Sequence, residues 1–236
     1  MPTIKPQSYN DLVRFIKENR RDVETGVYDF VLDPGWIPQM SDEALEFFAR
    51  RPRESATLAS SRNTPEQLLR WFMQTDGAKF AASIANNPAA PEDLLELAAL
   101  RYPDLSGWSP ESHGFVSIQE LVIRHPSITP SILKQLASSK SDKVVQAVAG
   151  HYRTPSETLE VLAKSDKEDI RAAAALNPNT PDRTLEILRR DASNRVSGAH
   201  SANLKVRRAE GRCVKCGTGL GMIRKLVGSN YCSNCS

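Results

Sequence analysis

Cysteine is absent from the first 212 residues of this 236-residue chain, and all four cysteines stand in the last 24. A disulfide framework is therefore excluded for most of the molecule. No apolar run approaches the 18 or so residues of a membrane span. The N-terminus shows no cationic start followed by an apolar block, so a secretory signal is not expected. Four histidines are scattered at 113, 125, 151 and 200, and there is no P-loop, GxSxG or HExxH pattern. Gly219 and Gly221 lack the strand–helix context of a nucleotide site. These absences argue against an enzyme, a small-molecule substrate and a membrane protein, and favour a cytoplasmic location.

What is present is repetition. The stretch Ser139–Asp191 reads as two superimposed copies, in which Leu159, Val161 and Leu162 recur 26 positions later as Leu185, Ile187 and Leu188. Val144, Ala147 and Ala149 recur as Ile170, Ala173 and Ala175, Thr154-Pro155 as Thr180-Pro181, and His151 is matched by Asn177. A fixed period in this range marks a solenoid, whose units bury their apolar faces only against neighbours. Thr is expected to cap each longer helix and Pro to take its first position. Capping boxes are expected at Thr154–Glu157 and Thr64–Gln67. Asn87, His125, His151 and Asn177 suit hydrogen bonding to a turning backbone.

Two segments carry a family likeness: IRAAAALNPNTPDRTLEILRRD and FAASIANNPAAPEDLLELAAL. They resemble the leucine-rich repeat variant family, with units of the form VRxxVAxNPxTPxxLLxxLAxD. The resemblance spans about residues 40–205. It implies an all-α fold of alternating α and 3₁₀ (or short α) helices wound into a right-handed superhelix, and it implies almost nothing about chemistry.

Residues 1–39 read as an N-terminal cap. Leu12, Phe15 and Ile16 share one helical face, and the aromatic, Pro-broken Val27–Pro38 seals the first repeat. Repeats fill 40–210, starting in degenerate form near Ser41 with Leu45, Phe47 and Phe48. Clearer units start at Thr64, Ala90, Thr129, Thr154 and Thr180, at intervals of 26, 39, 25 and 26. The long interval places an insertion within 101–115, whose Pro, Gly and Ser predict a loop. Trp108, His113 and Phe115 in it suit a partner contact. The alternative is a loop folded back over a repeat edge.

Residues 211–236 hold Cys213, Cys216, Cys232 and Cys235 as CxxC-x15-CxxC, a zinc spacing. Gly217 permits the positive φ of a metal knuckle. Two short strands between the pairs make the module similar to a zinc ribbon. Four thiolates close a tetrahedral shell, so one structural Zn²⁺ is expected. An iron centre is the rival: the family resemblance implies that relatives can carry an iron–sulfur cluster, and the knuckle pair resembles a rubredoxin-type site. A dithiol redox pair lacks its usual βαβ surroundings.

Charge is uneven, with a net +8 over Arg183–Ser236 and −5 over the remainder. Lys205, Arg207, Arg208, Lys215, Arg224 and Lys225 are candidates for contact with nucleic acid or another polyanion. They equally suit compensation of a zinc–thiolate centre of charge −2, and Tyr231 is the module's lone aromatic. The expected function is a non-catalytic adaptor gripping a protein partner. Nucleic-acid binding is the second reading, and an iron-containing redox protein the third.

Overall fold

The computed structural model describes residues 2–209, and the chain divides into two compact units, Met1–Ser127 and Ile128–Ser236. Within the second unit the repeat is visible as pairs of helices. α8 (Pro130–Leu136), α10 (Ser156–Leu162) and α12 (Asp182–Leu188) start 26 residues apart, and so do α9 (Asp142–Gly150), α11 (Glu168–Leu176) and α13 (Asn194–Ala209). The first unit precedes them with β1 (Thr3–Ile4), α1 (Tyr9–Glu18), α2 (Arg20–Glu24), β2 (Asp29–Phe30), a 3₁₀ helix (Pro34–Gln39), α3 (Asp42–Ala49), α4 (Pro52–Ser60), α5 (Glu66–Ala85), α6 (Glu92–Arg101), β3 (Ser106–Ser109), β4 (Gly114–Ser117) and α7 (Ile118–Arg124). The described residues are thus mostly helical, and in the second unit both helices of each repeat are α rather than 3₁₀. α5 is two helices joined at Asp76, whose φ of −153° and ψ of 68° break the run where other repeats have a polar turn.

Each repeat buries the apolar side chains that its helical spacing aligns. Leu159 and Leu162 of α10, with Val144 and Val148 of α9, are core residues, and Leu185, Leu188 and Ile170 repeat them. Ala149, Ala174 and Ala175 are fully buried, and their small size lets α9, α11 and α13 pack side by side.

The turns between repeats are held by a hydrogen-bonded ladder. Asn177 Nδ2 donates to the carbonyls of Ala149 (2.8 Å) and His151 (2.9 Å), both in the preceding repeat. Asn203 treats Ala175 and Asn177 in the same way, and Asn87 treats Ala59 and Ser61. The acceptor of the same side chain takes the amide two residues on, as in Asn179 N–H to Asn177 Oδ1 and Ala89 N–H to Asn87 Oδ1. His125 does this with a ring: Nδ1 accepts from Ser127 N–H at 3.1 Å and Nε2 donates to the Asn87 carbonyl at 2.7 Å. The ladder satisfies carbonyls at helix ends that would otherwise be buried without donors.

Threonine behaves differently from its sequence reading. Thr64, Thr154 and Thr180 donate backwards to Leu58, Val148 and Ala174, six residues earlier, each at 2.5 Å. The helix caps are then Pro65, Pro155 and Pro181 in extended conformation, and the capping boxes expected at 64–67 and 154–157 do not form. The physical reason is that an orphan carbonyl in the previous turn competes for the hydroxyl and wins. Thr129 accepts at its own helix, from Ile132 N–H, and the capping box among the described residues is Ser117–Glu120.

At the N-terminus, α1 buries Leu12, and parallel pairing of β1 with β2 closes residues 1–39 on themselves. An Arg51–Glu54 pair, for which the sequence reading gave no role, ties this segment to α4. Glu54, fully buried, accepts the Phe30 N–H at 2.7 Å, while Arg51 donates to the Val23 and Tyr28 carbonyls. The guanidinium lies 5.3–5.4 Å from the rings of Phe30 and Phe47.

Two outcomes test the ladder. Asn177→Ala strands buried carbonyls and is expected to cost about 1–3 kcal/mol in chemical denaturation; no measurable loss would remove the ladder as a stabilising element. Burial pushes the His125 imidazole below its ordinary value near 6.5. The unfolded chain therefore takes up the proton first, so stability is complete above about pH 6.5 and falls as pH drops through the depressed folded value. Burial, and then Arg153, depress His151 in the same direction. His125→Asn keeps a ladder side chain and is expected to flatten the acid-side loss; an unchanged pH profile would contradict that role.

Candidate partner-binding surface

The side of each helix following the repeat's Pro that faces away from the core carries a second regularity. In the second unit these are the shorter helices, seven residues against nine in α9 and α11. The residue six places after the repeat's Pro is large, apolar and not buried in four units: Trp71, Leu97, Val161 and Ile187. Val161 and Ile187 are 67% and 60% exposed, so their recurrence in the sequence is not explained by core burial. Leu97 is also exposed and Trp71 is half-buried; in α8 the residue six places after Pro130 is Leu136, which is buried, while the position aligned with Val161 by helix start is Gln135. Periodicity alone could not separate these positions from the core leucines beside them.

Ion pairs flank the row within each unit. Arg70 reaches from α5 to Asp93 of α6 with contacts of 2.5 and 3.2 Å, and Glu160 of α10 meets Arg183 of α12 at 3.2 Å. These are equivalent repeat positions with the charges exchanged. The Arg70 guanidinium holds the Asp93 carboxyl below the usual carboxylate range. In the same way Arg189 holds Glu186 at about 2, with Arg190 adding to it. All are exposed and contribute little stability individually.

The insertion is a β-hairpin rather than a loop. β3 and β4 pair antiparallel, with Trp108 opposite Phe115, because alternating residues and a short Pro110–His113 turn favour a ladder over irregular chain. The hairpin sits between α6 and α7, where other repeats have their polar turn, and it is docked on the unit's helices. Gly107 is buried so closely that a Cβ would lie 2.4 Å from Ala82 Cβ. Asn86 donates to the Trp108 carbonyl at 2.9 Å, and Arg124 donates to Ser109 Oγ at 3.2 Å. Trp108 and Phe115 meet edge to face at 5.8 Å, half and three-quarters exposed respectively. His113 occupies the turn with φ of 50°, a left-handed conformation in which His is among the tolerated residues, and is exposed. The structure thus pairs two of the three candidates and sets His113 at the tip beyond them.

Among the described residues, no group of three or more His, Cys, Asp or Glu is placed to hold a metal. Cys213, Cys216, Cys232 and Cys235, with Lys215, Arg224 and Lys225, lie outside the described residues. Lys205, Arg207 and Arg208 fall on the backbone of α13, and their side chains are outside the description. No described helix is long and apolar enough to cross a membrane.

Paired helices, a 26-residue spacing and an inter-repeat ladder define a helical-repeat protein. Consistent with that class, residues 168–193, which span α11 and α12, match the family model described as Leucine rich repeat variant. No curated protein and no solved structure matches the chain.

Proposed function

We propose that the protein is a non-catalytic repeat adaptor that binds a protein partner through the outward faces of the helices that follow each repeat's Pro. The observation that carries this reading is the exposed apolar row, Trp71 and Leu97 in the first unit and Val161 and Ile187 in the second. Exposed large apolar side chains are ordinary when single, but recurrence at one repeat position in four of five repeats calls for a contact. The Trp108–Phe115 pair on the docked hairpin adds a rigid aromatic anchor of the kind that dominates interfaces. Repeats of the matched type serve protein interaction in general. The test is capture of partners from the native host, with and without nuclease, by the full chain and by Val161→Glu with Ile187→Glu. A partner that survives nuclease and is lost on the double substitution is the expected result. Capture that depends on nucleic acid, and on Arg207 and Arg208, would replace this reading with a polyanion-binding one.

The four terminal cysteines form, in this proposal, a structural zinc module whose basic residues offset the charge of the thiolates. Metal analysis of protein purified without oxygen is expected to find about one zinc per chain. Cys232→Ser should release the metal while leaving the helical circular dichroism of the repeats intact. Iron with visible absorbance would overturn the zinc assignment and revive the redox reading.

A further inference from the structure

We propose that the groove between α3 and the first half of α5 is the docking site for a short partner segment carrying a bulky apolar side chain next to lysine or arginine. This rests on the adaptor reading and adds the chemistry of what is bound. The groove is open on one side and encloses about 530 Å³, a volume within the range of ligand pockets. α3 contributes Asp42, Leu45, Glu46 and Ala49, which share one helical face at spacings of three and four. α5 contributes Leu68 and Trp71 to the opposite wall.

Its polarity is divided. Leu45 and Ala49 are buried below, and Leu68 and Trp71 are half-buried alongside, so the floor and one wall are apolar. The other wall is acidic, because Asp42 and Glu46 are exposed there. No lysine or arginine lines the groove. Arg50 pairs with Glu46 from beside the groove, and Arg51 points inward to the Val23 and Tyr28 carbonyls, which leaves Asp42 as the rim carboxylate without an ion pair among the described residues. The first unit as a whole carries 18 acidic against 13 basic residues.

These features select the occupant. A polyanion is disfavoured by the rim, and a purely apolar segment would leave Asp42 facing buried surface without a counter-charge, which is costly. A cationic side chain beside an apolar anchor satisfies both walls and can also lie on the Trp71 indole. α3 has eight residues, so the groove runs for about 12 Å, enough for two helical turns or about four extended residues. The occupant is a short linear segment rather than a folded domain.

The test uses the full chain and a phage-displayed library of random dodecapeptides, with enriched sequences resynthesised and measured by fluorescence anisotropy. The expected result is enrichment of a bulky apolar residue flanked by Lys or Arg. Affinity should fall at least tenfold with Asp42→Lys plus Glu46→Lys, weaken with salt, and fall with Trp71→Ala. The charge-reversal pair touches exposed positions, so it separates lost binding from lost folding, with circular dichroism as control. Enrichment of acidic or uncharged peptides, binding indifferent to the charge reversal, or no enrichment would overturn the proposal. Partner capture that is lost with Val161→Glu and Ile187→Glu but indifferent to the groove substitutions would sink the groove alone. Groove-dependent peptide binding with partner capture indifferent to those glutamates would instead remove the exposed-row reading.

Discussion

A helix that ends in the interior leaves carbonyl oxygens that water cannot reach, and each must find a donor. In a structure of short helices this demand arises at every turn, so it shapes the whole molecule. The Asn–His ladder meets it with one side chain per repeat. Its amide or ring N–H turns to the preceding repeat, and its oxygen or ring nitrogen accepts an amide two residues ahead. Threonine supplies the third donor, six residues beyond the carbonyl it serves. This arrangement links neighbouring repeats by directional bonds as well as by apolar packing, and it gives physical content to the 26-residue spacing.

With the inner helix ends satisfied in this way, the outer faces of the helices after each repeat's Pro are free to vary. The exchange of charge between Arg70–Asp93 and Glu160–Arg183 shows that complementarity is retained there while residue identity is not. Against that variable background, large apolar side chains at one fixed position stand out. Val161 and Ile187 are mostly exposed, and they are what a partner would meet. The groove between α3 and α5 belongs to the same kind of surface, with Asp42 and the Arg50-paired Glu46 on one wall.

The two departures from regular repeats follow from the same packing logic. The hairpin enters at the polar turn between α6 and α7, where 13 extra residues disturb no ladder bond, and it is anchored by the close approach of Gly107 to α5 and α7. The N-terminal segment is joined to α4 by different bonds. There the buried Glu54 takes the Phe30 amide, and Arg51 serves two carbonyls of the segment. A buried ion pair is used where ladder side chains are lacking.

Much of the fold was legible in the residues. The 26-residue period, the burial of Leu159 and Leu185, the N-terminal helix around Leu12 and the importance of Asn87, His125 and Asn177 all follow from local spacing and side-chain chemistry, which a linear sequence encodes directly. Local reasoning misdirected the threonines, because whether a hydroxyl caps forwards or donates backwards depends on which orphan carbonyl lies within reach. It also read a loop where a hairpin forms, since strand pairing of Ser106–Ser109 with Gly114–Ser117 is a contact between segments. Val161 and Leu159 look alike as letters at helical spacing. Only packing decided that Leu159 is core and Val161 surface, because each helix has a single side turned to its neighbours.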